Sequence, residues 1–118
     1  MQPTANATVI YHNPRCSTSC KTLKLLQDKG LQPKIIEYLK TPPARDELAR
    51  MIRDAGIDVR AAVRKREPLY AELNLAEATD DELLDAMTRH PILIQRPFVI
   101  TTRGTRLARP VDCVHEIL

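Results

Sequence analysis

The chain has 118 residues, 43% of them hydrophobic, which suits one domain with a real core and is short for two. No apolar run approaches the ~20 residues of a membrane span, and three cysteines are too few for a disulfide framework, so the thiols read as kept for reactivity or packing in a reducing cytoplasm. The net charge of +3 comes from 12 Arg and 6 Lys against 15 acidic residues, and with only four aromatics there is no basic, aromatic-interleaved stripe of the kind that binds nucleic acid. The two-to-one preference for arginine suits bidentate binding of tetrahedral or carboxylate oxyanions.

In chain order, residues 1–7 lack the basic region and apolar core of a secretory signal and read as a disordered tail. Residues 8–11, β-branched and aromatic, predict a strand bounded by the Asn13-Pro14 turn. Helical spacing follows over 17–29, with Gly30 placed to cap it, and 34–39 predict a second strand. Strand, helix and strand in that order argue for a right-handed parallel unit, with the loop around Cys16 at the carboxyl end of the first strand, where ligand sites of α/β sheets cluster.

Thr41-Pro42-Pro43 breaks the strand and opens a helix whose apolar stripe is Leu48, Met51, Ile52 and Ala55, ended by Gly56. A short helix from Asp58 is expected to bury Val59, Ala62 and Val63 until Glu67-Pro68 interrupts it. Thr79 and Glu82 form a capping box for a helix that ends by His90-Pro91. The last third reads as a β-hairpin: residues 92–94 as a strand or the approach to one, 98–101 as a strand opened by Pro97, and 105–108 as its partner across Arg103-Gly104. A final helical turn or two over 111–118 places Cys113 and Ile117 on one side, with Cys113 in the core.

The chemistry concentrates in His12-Asn13-Pro14-Arg15-Cys16-Ser17-Thr18-Ser19-Cys20. A turn that opens a helix presents backbone N–H groups at the positive end of the helix dipole, which favours an anion and favours a thiolate over a thiol. The bland alternative is a buried structural cysteine beside an N-cap serine. His12 either raises the thiolate fraction of Cys16 electrostatically or hydrogen-bonds the turn. Cys20, four residues on and on the same predicted face, is either a resolving thiol or a small packed residue. A zinc site from His12, Cys16 and Cys20 lacks a second paired motif, so no metal is expected. His90 reads as a helix cap and His115 as surface. Arg64, Arg96 and Arg109 lie at element ends, where clefts form.

Five segments carry a resemblance. They are Ile10-Tyr11-His12-Asn13-Pro14-Arg15-Cys16, residues 38–48, residues 59–65, His90-Pro91-Ile92-Leu93-Ile94-Gln95-Arg96-Pro97, and Gly104-Thr105-Arg106-Leu107-Ala108-Arg109-Pro110. On these the chain resembles the glutaredoxin- and glutathione-coupled arsenate reductases over nearly its whole length. The resemblance implies an α/β thioredoxin-like fold in a single domain over 1–118: a mixed four-stranded sheet with helices and a helical insertion between the N-terminal β-α-β unit and the C-terminal β-hairpin. It implies Cys16 as the nucleophile that forms a thiol–arsenate adduct, His12 and Ser19 as groups that help hold its thiolate, Arg64, Arg96 and Arg109 as oxyanion ligands, and Pro97 as a structural cis-proline.

Further implications are glutathione as reductant with no bound cofactor, glutaredoxin as protein partner, arsenite as product, and a cytoplasmic monomer serving arsenic detoxification without nucleic-acid or membrane partners. The sequence departs from the family pattern at Cys20, where arginine or another long polar residue is common, and it ends at Leu118, before an extension found in some members. The alternative reading is a non-enzymatic, redox-sensing or regulatory thioredoxin-like module. Relatives of that kind generally lack the full arginine set.

Overall fold

A computed structural model describes residues 8–118, and the tail expected over 1–7 lies outside them. Contacts divide the chain into two compact units, one formed by the described residues up to Thr41 with Arg96–Leu118, the other by Pro42–Gln95.

The first unit holds β1 (Val9–His12), α1 (Ser17–Asp28), β2 (Lys34–Glu37), β3 (Phe98–Thr101) and β4 (Gly104–Leu107). The strands form one mixed sheet in the order β2-β1-β3-β4, with β1 parallel to β2 and antiparallel to β3, and β3 antiparallel to β4. This is the thioredoxin-like arrangement that the resemblance implies. The parallel pair needs a crossover, and α1 supplies it. The core gathers Ile10 of β1, Leu26 of α1, Val99 of β3, and Ala108, Val114 and Ile117 that follow β4.

α1 stops where its sequence demands. Gly30 has φ +84°, open to glycine without strain, and the Leu31 N–H turns back to the Leu26 carbonyl at 3.1 Å. β2 is two residues shorter than the expected 34–39, because the Lys40 N–H closes a turn on the Glu37 carbonyl at 2.9 Å. Tyr38 in that turn is fully buried, so its apolar character reflects packing and not strand extension.

The second unit, the expected helical insertion, holds α2 (Arg45–Asp54), α3 (Val59–Ala62), α4 (Pro68–Glu72) and α5 (Asp80–Arg89), with α5 packed on α2 and α3. Leu48, Met51 and Ile52 are buried on α2, and Leu83, Leu84 and Met87 on α5, as the apolar spacing requires. Val59 is only half-buried; Ala62 is the buried residue of α3, and Val63, just after it, is buried too. Pro68 starts α4 at its first turn, where its missing N–H costs nothing, instead of merely interrupting a helix.

Residues 92–94 are not a strand. Pro91–Leu93 forms a 3₁₀ turn, favoured by proline's fixed φ, and only Ile94 makes an isolated antiparallel bridge, to Val63. The last segment, Val111–Ile117, is 3₁₀-helical, and its buried residues are Val114 and Ile117. Cys113 is half-buried there, so the core position expected for it belongs to Val114.

The capping box is complete: Thr79 Oγ1 accepts from the Glu82 N–H at 3.2 Å, and Glu82 Oε1 accepts from the Thr79 N–H at 2.8 Å. Thr79→Ala should therefore lower unfolding stability by about 1 kcal/mol. A urea midpoint equal to wild type would show that the box contributes nothing.

Candidate active site

The sheet register assembles the site. Tyr11 of β1 pairs with Phe98 of β3, and Phe98 pairs with Leu107 of β4. The residues just before β3 and just after β4 are thus brought to the carboxyl end of β1, where the Cys16 loop begins. Those residues include Arg96 and Arg109. The Ala108 N–H donates to the Pro97 carbonyl at 2.9 Å and ties the two segments together. The Arg96–Pro97 and Arg109–Pro110 peptides are both cis.

Cys16 is the N-cap of α1, with extended backbone at φ −99° and ψ 121°, so it sits outside the first helical turn. The loop before it is fixed by hydrogen bonds: Asn13 Oδ1 accepts from the Arg15 N–H at 2.9 Å, and the Asn13 carbonyl accepts from the Cys16 N–H at 3.0 Å. Ser19, fully buried, locks both ends of the loop. Its Oγ accepts from the Asn13 N–H at 3.0 Å and lies 2.6 Å from His12 Nδ1.

Burial pushes the His12 imidazole below its ordinary value, with the Glu37 carboxylate opposing. Of the two roles open from sequence, the contact with Ser19 Oγ is the one the geometry displays: through it His12 bears on the loop.

The charge near Cys16 comes from arginine. Arg109 Nη1 donates to the Arg96 carbonyl at 2.9 Å and stands 3.9 Å from Cys16 Sγ. Arg96 is buried, at 8% exposure, and its Nε and Nη1 have no hydrogen-bond partner among the described residues. Burial by itself raises the Cys16 thiol. The Ser19 backbone N–H, the Arg96 and Arg109 guanidinium groups and the Arg96 charge outweigh it and bring the thiol down to about 7. The Ser19 N–H acts without meeting the geometry of a full capping hydrogen bond.

Arg64 belongs to the Pro42–Gln95 unit, where its Nε donates to Glu67 Oε2 at 3.1 Å and its N–H to the Leu93 carbonyl at 2.6 Å. Cys20 is exposed, which overturns its reading as a packed residue, and Cys16, Cys20 and Cys113 are all free thiols. Among the described residues, no three His, Cys, Asp or Glu side chains gather as metal ligands, and no helix is long and apolar enough to cross a membrane. A cavity of about 190 Å³ abuts the loop, lined by His12, Asn13, Pro14 and Arg15 among others. A larger one, about 460 Å³, opens at the other end of β1 beside Thr8, Leu31 and Ile117 and holds no thiol. The lowered thiol and the two arginines gather at the Cys16 loop, and the larger cavity lies away from them.

Sequence reasoning missed the double role of Asn13, although Asn-Pro is itself a turn signal. It also passed over the second cis peptide, at Pro110.

The model of the ArsC family matches residues 11–117. The chain belongs to the ArsC family. It is similar to an arsenate reductase of Escherichia coli strain K12, with 57% identity over 92% of this chain and 79% of that protein. It is also similar to the arsenate reductase ArsI1 of Synechocystis, with 43% identity over 98% of this chain and 81% of that protein. Among solved structures, an arsenate reductase from Vibrio cholerae superposes with a TM-score of 0.90 at 47% identity, covering 94% of this chain and 97% of that one.

For this ArsC-family site a thiol near 7 sets a pH signature. Its value is depressed relative to an unfolded thiol, so thiolate, and the stability linked to it, is present at high pH and lost as pH falls through about 7. In a Cys20→Ser, Cys113→Ser background, alkylation by iodoacetamide should rise with pH to a half-maximum near pH 7. A half-maximum at the ordinary thiol value of about 8.5 would contradict the assignment.

Proposed function

We propose that this chain reduces arsenate to arsenite through a covalent adduct at Cys16. The observation that carries the proposal is a thiol lowered to about 7 beside Arg96, whose buried Nε and Nη1 have no partner among the described residues. Arsenate bears charge much as phosphate does, so a thiolate attacking it needs cations to offset repulsion and to hold the charge gathering on oxygen. Arginine supplies that charge at every working pH and presents a fork matched to two oxygens.

In the first step Cys16 Sγ bonds to arsenic and one oxygen leaves as water. Glutathione sulfur then attacks Cys16 Sγ. The sulfur–arsenic bond breaks with its electron pair staying on arsenic, which falls from the pentavalent to the trivalent state and leaves as arsenite. The two sulfurs are oxidised to a Cys16–glutathione disulfide, and the glutathione proton ends on an arsenite oxygen. Glutaredoxin then removes the glutathione and restores the thiol.

Arg96 and Arg109 hold the oxyanion in this reading, and Arg64 joins them on the strength of the resemblance alone. His12 and Ser19 keep the loop in the shape that exposes the thiolate. The chain acts as a monomer in a reducing cytoplasm.

The test is oxidation of NADPH coupled through glutathione reductase, with glutathione, glutaredoxin and the protein supplied. Turnover that requires both arsenate and glutaredoxin is expected. No arsenate dependence would discard the enzyme and favour a redox-sensing or regulatory module.

A further inference from the structure

The first turn of α1 carries a second thiol that the reaction above leaves unused. Cys20 lies one helical turn after Cys16, and its N–H donates to the Cys16 carbonyl at 3.0 Å. The side chain is exposed and leans back toward the helix N-terminus, where Sγ donates to the Pro14 carbonyl at 3.3 Å. That direction is the one helical side chains prefer. Both thiols therefore flank the same 13–16 loop.

Residues four apart on a helix have Cβ atoms about 5–6 Å apart, whereas a disulfide needs about 3.5–4.5 Å. Bridging them requires the first turn of α1 to open: Cys16 is the cap, with extended backbone, and the bond that must give is the one from the Cys20 N–H to the Cys16 carbonyl. Cys113 is half-buried in the Val111–Ile117 segment, outside α1.

We propose that Cys20 is a resolving thiol, which attacks Cys16 Sγ once Cys16 has become a mixed disulfide with glutathione. The inference rests on the reaction proposed above. In this step a Cys16–Cys20 bond forms and the Cys16–glutathione bond breaks. Glutathione leaves as thiolate and takes up the proton lost by Cys20. One disulfide replaces another, so no oxidant or reductant is consumed. The step is intramolecular, which favours it over attack by a thiol from solution. Glutaredoxin then meets a protein disulfide in place of a glutathionylated cysteine.

The experiment uses the full chain and glutathione disulfide, without arsenic and without air, quenched in acid and read by intact mass and peptide mapping. Wild type should become two hydrogens lighter, with Cys16 joined to Cys20 and glutathione released. Cys20→Ser should instead retain one glutathione on Cys16, at a level at least about tenfold above wild type. Wild type that holds glutathione on Cys16 as fully as Cys20→Ser would overturn the proposal. So would a disulfide that disappears in Cys113→Ser. Because arsenate is absent, the result is independent of turnover, and failure of arsenate reduction would strike the proposed function alone.

Discussion

Cys16→Ser should reduce arsenate-dependent turnover to background, a loss of at least about 10³-fold. The reaction needs a group that is ionised near neutral pH, attacks arsenic, and then accepts a second sulfur. A serine hydroxyl meets none of these conditions. The substitution replaces sulfur by oxygen at an N-cap position that serine favours, so the fold should survive and the loss should be chemical. An unchanged melting temperature together with lost activity is the expected pair of results. Activity retained by Cys16→Ser would remove the nucleophile from the account.

The second large effect is expected at Arg96. Its guanidinium is buried and offers Nε and Nη1 with no partner among the described residues, so a bound oxyanion would be the group that satisfies them. Removing one partner of a buried charge pair costs about 2–5 kcal/mol, so Arg96→Ala should lower kcat/KM for arsenate by roughly 30-fold or more. The same change should move the alkylation midpoint of Cys16 upward from about 7, because Arg96 favours the thiolate both by hydrogen bonding and by charge. Arg96→Lys keeps the charge and loses the planar fork, so it should recover the midpoint better than the arsenate kinetics. An Arg96→Ala protein with wild-type kcat/KM and a wild-type midpoint would show that this arginine does not serve the site.

Local signals explain what could be read in advance. The β-branched run before Asn13-Pro14, the glycine stop at Gly30 and the Thr79–Glu82 box each act within a few residues, and each appears where expected. The loop around Cys16 was legible for the same reason. The position of Arg96 and Arg109 beside that loop was legible only through the resemblance, because it depends on the pairings Tyr11–Phe98 and Phe98–Leu107, and strand register is a property of the assembled sheet.

Cys16 itself illustrates the limit. Helical spacing placed it on one face with Cys20, whereas the backbone makes it the cap, and the dihedral angles of a cap are not visible in a hydrophobic pattern. Residues 92–94, open in the sequence between a strand and the approach to one, prove to be the approach. Ile, Leu and Ile suit a strand by composition, yet Pro91 imposes a helical φ on the first of the turn residues and wins locally. His12 shows a third case: its type left charge and hydrogen bonding both open, and the fold buries it against Ser19 Oγ, with burial lowering its pKa.

The measurement that bears most directly on the central claim is a single turnover with arsenic speciation. Protein in excess over arsenate is mixed with glutathione, quenched, and divided between chromatography of arsenic species and peptide mapping. One arsenite should appear for each disulfide formed at Cys16, and neither should form in Cys16→Ser. Arsenite produced without a disulfide at Cys16, or a disulfide at Cys16 with all arsenic still pentavalent, would contradict reduction through a Cys16 adduct.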